Sequence, residues 1–397
     1  MEAKKIYKYL FYSLVALLCS RHVFQILGFS SIASVMFKLL YVCAFLTLGV
    51  CFLDNVKDGK ITPKNFMLLI ATASVGVVFF VLFFKYPEKL ESSATFLITL
   101  PLLLCLDTFG ITRKESRLYY MLIVPIAISL IVSIFIGSNY KSGVLELYTD
   151  NGNQSGLLYM SIFMGIFVYQ FLNKISIFMV ILEIGLLYGC WLTKSRTAFL
   201  ACIIMVLIAV FLYLLPKMKK AVLIFAFLVM ILTPFLVGPL SEVLDGNIEI
   251  MGSSIFTGRE NIWPDLISKI FSSGSSPFVF RVNDIAVDKY GKDLGAHNVI
   301  LDLAWKYTVP VALVFLASLW AVGKHATEYF NDRRSAVLVA CMIAAMIHMT
   351  MEAAIISGAL DYTLYFILNL LCALSMLERK EAVSDEQPVD KCDNPGI

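Results

Sequence analysis

Three basic residues mark places where polar chemistry is possible in an otherwise apolar chain. Arg196 lies in the stretch KSRTAFL between two long apolar runs, Arg259 lies in TGRENIWPDL, and His297 lies in GAHNVILDLAWKY. Two arginines that face one space suit a diphosphate, because each planar guanidinium can hold phosphate oxygens with paired hydrogen bonds. A histidine beside them can accept a proton near neutral pH. Together the three residue types suit the binding of a diphosphate beside a group that accepts a proton.

Each of these residues also has a plain structural interpretation. Arg196 at a helix end can extend towards lipid head groups, Arg259 can be a solvated loop charge, and His297 can be hydrogen-bonded within its own helix start. Lys194, Asn298 and Trp263 are the additional residues that we expect to contact sugar or phosphate.

The sequence around Arg259 predicts a helix start. Thr257 and Glu260 form a candidate capping box, which would place the guanidinium in a first turn whose free N–H groups favour anions. Pro264 would kink such a helix, whereas a start at Asn261 would put the proline in the first turn, where it is tolerated. In either case Arg259 lies at or just before a helix start.

The composition determines which kind of protein must position these residues. Hydrophobic residues make up 59% of the chain and charged residues 15%, with a mean hydropathy of +0.82, which is typical of an integral membrane protein. The apolar runs have the length of spanning helices and lack the alternation of a membrane barrel. We therefore predict an all-α bundle of about twelve transmembrane helices, near residues 8–27, 32–53, 66–85, 95–110, 118–137, 156–172, 175–193, 198–215, 221–238, 298–323, 335–353 and 357–377.

Lysines and arginines concentrate in alternate breaks between these runs. The positive-inside rule makes those breaks and both termini cytoplasmic, so the KSR stretch and the long segment 239–297 face the opposite side. The predicted organisation is nine helices in 1–238, one large outer loop with short helices in 239–297, three helices in 298–377, and a disordered cytoplasmic tail in 378–397. The stretch MEAKKIYK runs into the first apolar segment without a small-residue cleavage site, so we expect that segment to be a retained helix. The positive-inside rule disfavours an arginine such as Arg196 on the outer side.

The outer segments contain further candidates. Apolar residues recur at helical spacing from Ile262 to Phe271, as in an amphipathic helix lying on the membrane surface. The loop 140–153 either lines the acceptor side of a site or is a solvated connection. Ionisable residues inside the apolar runs are few, chiefly Asp107, Glu183 and Asp302, which is sparse for an ion pathway. Neither a metal site nor a nucleic-acid partner is indicated, because the nine cysteines form no CxxC pair and the net charge is only +3.

The order of these motifs resembles the O-antigen ligase and polymerase superfamily of bacterial inner membranes. The resemblance consists of a Ser-Arg-Thr-Ala helix start, a Gly-Arg followed by a tryptophan-containing helix in a large late loop, and a His-Asn that opens the next transmembrane helix. It covers most of the chain and carries over the family's two arginines to Arg196 and Arg259 and its histidine to His297. The spacing of Arg196 and Leu200 matches the ligase motif, whereas Thr308 stands where ligases often have glycine.

The resemblance implies a glycosyltransferase that needs no cofactor and works on the periplasmic face of the inner membrane. The donor would be a glycan linked to undecaprenyl diphosphate. The Arg196–Leu200 spacing favours a ligase, for which the acceptor is lipid A-core; a polymerase, for which the acceptor is another lipid-linked repeat, is the alternative. Arg196 and Arg259 would hold the departing diphosphate, and His297 would deprotonate the acceptor hydroxyl, which predicts inversion without a metal. A flippase for the same lipid-linked glycans and a purely structural membrane protein are the alternatives.

Overall fold

The computed structural model of the chain is a bundle of α-helices. It describes residues 2–57, 63–106, 110–147, 152–243, 249–250, 253–254, 259–272, 276–281, 286–287, 293–294, 296–328, 332–352 and 360–385. The described helices are α1 (Glu2–Ile26), α2 (Ser30–Lys57), α3 (Pro63–Lys85), α4 (Leu90–Leu104), α5 (Arg113–Ser133), α6 (Gly152–Leu172), α7 (Ile177–Leu192), α8 (Arg196–Leu214), α9 (Lys219–Val243), α10 (Arg259–Phe271), α11 (Val299–Lys306), α12 (Val309–Glu328), α13 (Ala336–Met351) and α14 (Leu360–Asp385).

Nine of the described helices are long and apolar enough to cross a membrane, which confirms the transmembrane helical bundle. Three shorter apolar segments, Ser93–Leu104, Ile177–Leu192 and Tyr362–Leu377, would bring the number of spans to the twelve expected, and that number stays a prediction. The helix α14 continues to Asp385, so the first eight residues of the predicted disordered tail are helical, and residues 386–397 lie outside the described part.

Two helices form the centre of the bundle. The most apolar stretches of α6 and α13 are each 83% buried, whereas those of α1, α3 and α9 are only 28% buried and expose large apolar side chains. Many of the inward residues of α13 are alanine, and small residues allow membrane helices to approach closely. The packing neighbours agree with this arrangement, because α13 contacts α8 and α9 while α6 contacts α7, α8 and α14.

Hydrogen bonds between buried side chains add specificity to this apolar packing. Asn369 of α14 accepts a hydrogen bond from the Tyr119 hydroxyl of α5 over 2.8 Å and donates one to the carbonyl of Ser161 in α6 over 2.8 Å. At the end of the bundle where α9 and α13 begin, the buried Lys219 ammonium donates to the carbonyl of Asp332 and to the hydroxyl of Ser335. These bonds fix the rotation of the helices about their axes, because satisfied polar pairs have few alternative arrangements.

The predicted span 298–323 is wrong in detail, because the structure has two helices there. The helix α11 ends at Lys306, and α12 starts at Val309 after Tyr307 and Thr308. Pro310 explains the break, since a proline ring in a continuous helix would clash with the carbonyl four residues earlier and would leave that carbonyl without a donor.

Short antiparallel hairpins accompany the helices. They pair β1 (Tyr140–Lys141) with β2 (Val144–Leu145), β3 (Glu249–Ile250) with β4 (Ser253–Ser254), and β5 (Ala286–Val287) with β6 (Asp293–Leu294). The last two hairpins belong to the segment predicted as the large loop, which also contains α10 and the 3₁₀ turn Ser276–Phe278. Helix α9 extends to Val243, five residues into that predicted loop.

Candidate functional site

A buried carboxylate joins two of the three predicted chemical residues. Glu352 follows directly after α13, and its side chain is 8% exposed. Its Oε1 accepts a hydrogen bond from Arg259 Nη2 over 2.9 Å, and its Oε2 lies 3.0 Å from His297 Nδ1. Arg259 and His297, which are 38 residues apart in sequence, therefore meet on one carboxylate.

The remaining partners of this group come from two other helices. Asn153 in the first turn of α6 donates from Nδ2 to Glu352 Oε1 over 3.1 Å. Arg259 Nη2 also donates to the carbonyl of Met351, the last residue of α13, over 2.8 Å. Both carboxylate oxygens are thus occupied, and the buried charge of Glu352 is paired and hydrogen-bonded, as a buried charge requires.

Arg196 belongs to the same region. It is the first residue of α8, it is partly buried, and its charge is close enough to act on Arg259. Burial lowers the pKa of the Arg259 guanidinium from its usual value, the charge of Glu352 opposes that shift, and the charge of Arg196 adds to it. The structure therefore brings together all three residues that the sequence analysis singled out.

The balance of charge also acts on the carboxylate. Burial by itself would raise the pKa of Glu352, but the hydrogen bond from His297 and the charge of Arg259 outweigh burial and hold the pKa below its usual value. Glu352 is consequently ionised at neutral pH and can orient the two basic groups.

Four helices begin around this cluster. Asn153 lies in the first turn of α6, Arg196 starts α8, Arg259 starts α10, and His297 lies two residues before α11. The first N–H groups of a helix carry partial positive charge and have no partner within the helix. The region thus combines two guanidinium groups with several helix starts, an arrangement that attracts anions.

The turn that carries Arg196 is positioned by close packing against α6. A Cβ atom on Gly152 would lie 2.5 Å from the carbonyl oxygen of Thr193, and one on Gly156 would lie 2.8 Å from Ser195 Oγ. Both distances are shorter than real Cβ atoms show, so only glycine permits this approach. The first two turns of α6 therefore set the position of the KSR turn.

Two of the expected substrate contacts have structural roles instead. Trp263 is fully buried, and its Nε1 donates to the carbonyl of Ala296 over 2.7 Å, next to His297. Asn298 is also fully buried; its Oδ1 caps α11 by accepting from the amide of Leu301, and its Nδ2 donates to a backbone carbonyl of α13. Both side chains are completely buried, whereas the Arg259 side chain keeps 8% of its surface exposed. Contact of Trp263 or Asn298 with sugar or phosphate therefore stays a prediction that their burial does not favour, and in this structure both hold His297 in place.

Lys194 and His297 are at least partly exposed, and the predicted start of α10 is only partly as expected. Lys194 is exposed beside Arg196 and remains accessible to a substrate, as does His297, whose side chain is 38% exposed. Both have left-handed backbone conformations, with φ of 54° and 49°. Thr257 lies outside the described residues; α10 starts at Arg259 with Pro264 inside it, so the alternative start at Asn261 is not observed.

Sequence reasoning missed Glu352, and it included Asn153 only as the last residue of the loop 140–153, with no role for its side chain. The signal for Glu352 was present, because an acidic residue at the end of the apolar run of α13 is costly unless it has a partner. Of the three ionisable residues named from the sequence, Glu183 accepts from Gln170 over 2.6 Å and Asp302 pairs with Lys306 over 3.1 Å, whereas Asp107 lies outside the described residues. In the described part of the chain, no group of three or more His, Cys, Asp or Glu is arranged to hold a metal ion.

Comparisons of the chain with protein-family models, with curated proteins and with solved structures find no match. The site geometry and the motifs therefore carry the functional argument.

Proposed function

We propose that the protein transfers a glycan from undecaprenyl diphosphate to a sugar hydroxyl at the periplasmic face of the inner membrane. The single observation that supports this most is Glu352, which holds Arg259 and His297 together beside Arg196. An anion-binding pair next to a carboxylate-oriented histidine is the equipment that such a transfer needs.

In this proposal the arginines act on the leaving group. Arg259 is pre-oriented by Glu352 and by the carbonyl of Met351, so that its position does not have to be fixed when the substrate binds. Arg196 supplies a second guanidinium at the start of α8. As the bond to the anomeric carbon breaks, its electron pair moves to the diphosphate, and fixed positive groups stabilise the charge that develops there.

His297 acts as the general base. Its Nδ1 faces Glu352, which leaves Nε2 as the nitrogen that can take the proton of the acceptor hydroxyl. The hydroxyl oxygen then forms the new bond to the anomeric carbon while the bond to the diphosphate breaks. Both oxygens of Glu352 are engaged, so this carboxylate is poorly placed to act as a nucleophile, and a single displacement with inversion is expected.

Two alternatives remain distinct from a ligase. A polymerase would use the same groups with a lipid-linked acceptor. Thr308 is the residue that departs from the ligase pattern, because ligases often have glycine at this position. It is buried, and its hydroxyl accepts a hydrogen bond from the amide of Val311 over 3.4 Å. A flippase would need its charges at mid-depth, whereas Arg196 and Glu352 lie at the ends of the spans of α8 and α13. That position favours an enzyme at the membrane surface.

The test is lipopolysaccharide from a deletion strain complemented with the wild-type gene, with His297→Ala, or with Lys269→Ala as a control on an exposed side chain of α10. A ligase would leave the strain with bare core and long polymer on undecaprenyl diphosphate, and a polymerase would leave it with core carrying one repeat. We expect Lys269→Ala to complement and His297→Ala to fail at equal abundance. Full activity of His297→Ala would contradict the assignment of His297 as the general base. Lipid-linked repeats trapped on the cytoplasmic side of the membrane would identify a transporter.

A further inference from the structure

Helix α10 and the turn that follows it expose large apolar side chains outside the spanning helices. Phe271 at the end of α10 is 55% exposed, and Phe278 and Val279 in and after the 3₁₀ turn are 65% and 43% exposed. The turn packs against α10 and also against α12. We name these three residues the loop apolar patch. Phe271 is the last residue of the apolar face that the sequence assigned to the membrane, whereas Phe278 and Val279 lie beyond α10.

Three residues of the apolar face that the sequence assigned to the membrane are instead covered by protein. Trp263, Leu266 and Ile270 are completely buried, and α10 packs mainly on α9. The expectation that this face lies on the lipid surface is therefore wrong for these three side chains and stays a prediction for Phe271. A helical apolar period shows that a face is covered, but it does not show by what.

The depth of α10 follows from the length of α9. Pro264 of α10 packs against Gly238, where an added Cβ would be 3.2 Å from the proline Cγ. Gly238 lies 18 residues beyond the exposed Lys220 near the start of α9, which corresponds to about 27 Å of helix. Since a hydrocarbon core is about 30 Å thick, the crossing of α10 over α9 lies close to the hydrocarbon boundary on the side of the functional site.

The direction of Phe271 follows from helix geometry. Pro264 and Phe271 are seven residues apart, which places them on nearly the same side of α10, the side that contacts α9. Asp265 and Lys269 lie on another side, where they are exposed and form a salt bridge over 2.7 Å. α10 therefore presents a charged side away from α9 and an aromatic side chain towards it.

Exposed apolar side chains also flank the point where α10 crosses α9. Large side chains of α9 at the same level are exposed, including Leu236 and Leu240, and Leu313 near the start of α12 is also exposed. An exposed apolar patch of this kind marks an interaction site. Acyl chains are the occupant that fits, because they already cover the neighbouring part of α9.

We propose that the loop apolar patch inserts into the leaflet on the site side and anchors α10 to the lipid acyl chains. The other end of α10 is Arg259, 12 residues from Phe271, which is about 18 Å. The anchor thereby keeps Arg259 at the level of lipid phosphates, whatever reaction the site performs. This inference does not depend on glycan transfer and can fail or succeed separately from it.

The experiment places a photoreactive benzophenone amino acid at Phe278 and, as a matched control, at Asp265 on the charged side of α10. The full-length protein is reconstituted in vesicles of phosphatidylethanolamine and phosphatidylglycerol, illuminated, and measured by intact-protein mass spectrometry. We expect at least fivefold more lipid adduct at position 278 than at position 265. Position 279 serves as a second attachment point if the first variant does not accumulate.

Two results would overturn the proposal. Equal and low lipid adduct at positions 278 and 265 would show that the loop apolar patch lies in water. Protein dimers crosslinked through position 278, with no lipid adduct, would show that a second copy of the chain covers the patch.

Discussion

Replacement of Gly156 by alanine tests whether α6 positions the arginine that begins α8. The new Cβ atom would lie 2.8 Å from Ser195 Oγ and closer still to Ser195 Cβ, whereas ordinary contact begins at 3.4 Å. Ser195 is buried directly before Arg196 and has little room to move elsewhere. The turn would have to retreat from α6, and Arg196 would move with it.

The magnitude follows from the size of that movement. The distance from the new Cβ atom to Ser195 Oγ is about 0.6 Å shorter than ordinary contact, and the distance to Ser195 Cβ falls short by more. Because a displacement of about 1 Å in a catalytic group can cost roughly a hundredfold in rate, we expect Gly156→Ala to lose roughly ten- to a hundredfold of transfer activity. The protein should still accumulate in the membrane, since the change is confined to one turn at the end of the bundle.

The assay is transfer from a lipid-linked glycan in proteoliposomes, with the amount of folded protein measured in parallel. Gly76→Ala is the matched control, because nothing lies within 4 Å of a Cβ at that helical position, and it should keep full activity. Ser195→Gly combined with Gly156→Ala removes both clashing atoms of Ser195, Cβ and Oγ, and should recover much of the loss. Wild-type rates in Gly156→Ala, or no recovery in the double variant, would refute the argument that this contact positions Arg196.

Three further predictions concern the charges of the site. Glu352→Gln keeps the shape but leaves the Arg259 guanidinium buried without its counter-charge, so we expect the free energy of unfolding to fall by about 3 kcal/mol. Because His297 also loses its carboxylate partner, kcat/KM per folded molecule should fall roughly a hundredfold, and near-normal rates would contradict the assigned role. Activity should persist after dialysis against EDTA, because the arginines stabilise the leaving group; loss that a divalent ion restores would contradict this. The pKa of Glu352 is lower in the folded protein than its ordinary value of 4.5, so its stabilising contribution is present above that value and lost as the pH falls through the lowered pKa. The melting temperature in detergent should therefore fall more steeply on acidification in the wild type than in Glu352→Gln, and parallel profiles would refute the assignment.

The sequence was informative about which residues matter and less so about how they are held. Arg196, Arg259 and His297 could be named because permanent charges and a histidine are unusual beside long apolar runs, and the structure gathers them. Glu352 was missed because a single acid at the end of an apolar run resembles an ordinary helix boundary. Its partners come from distant segments of the chain, and periodicity carries no information about contacts of that range.

The same limit explains the errors in the fold. The apolar face of α10 was visible as a period, but the sequence did not show that protein covers three of its residues. Pro310 indicated locally that the helix breaks before α12. The length of the apolar run nevertheless favoured one continuous helix over 298–323. Lys219 lies in one of the basic breaks between apolar runs, yet it is buried and bonded to the segment before α13. Composition alone does not distinguish a solvated lysine from one that joins two helices.

Lys194 and His297 have left-handed backbone conformations, which lower the folding stability at two residues whose side chains lie in the candidate site. Glycine adopts this conformation freely, whereas a residue with a side chain is strained there by about 1 kcal/mol or more. A chain optimised only for stability would carry glycine at both positions. The lysine and the histidine therefore identify two points where the protein tolerates a less stable backbone to keep a side chain beside Arg196 and Glu352, and where a stabilising replacement would be expected to weaken the site.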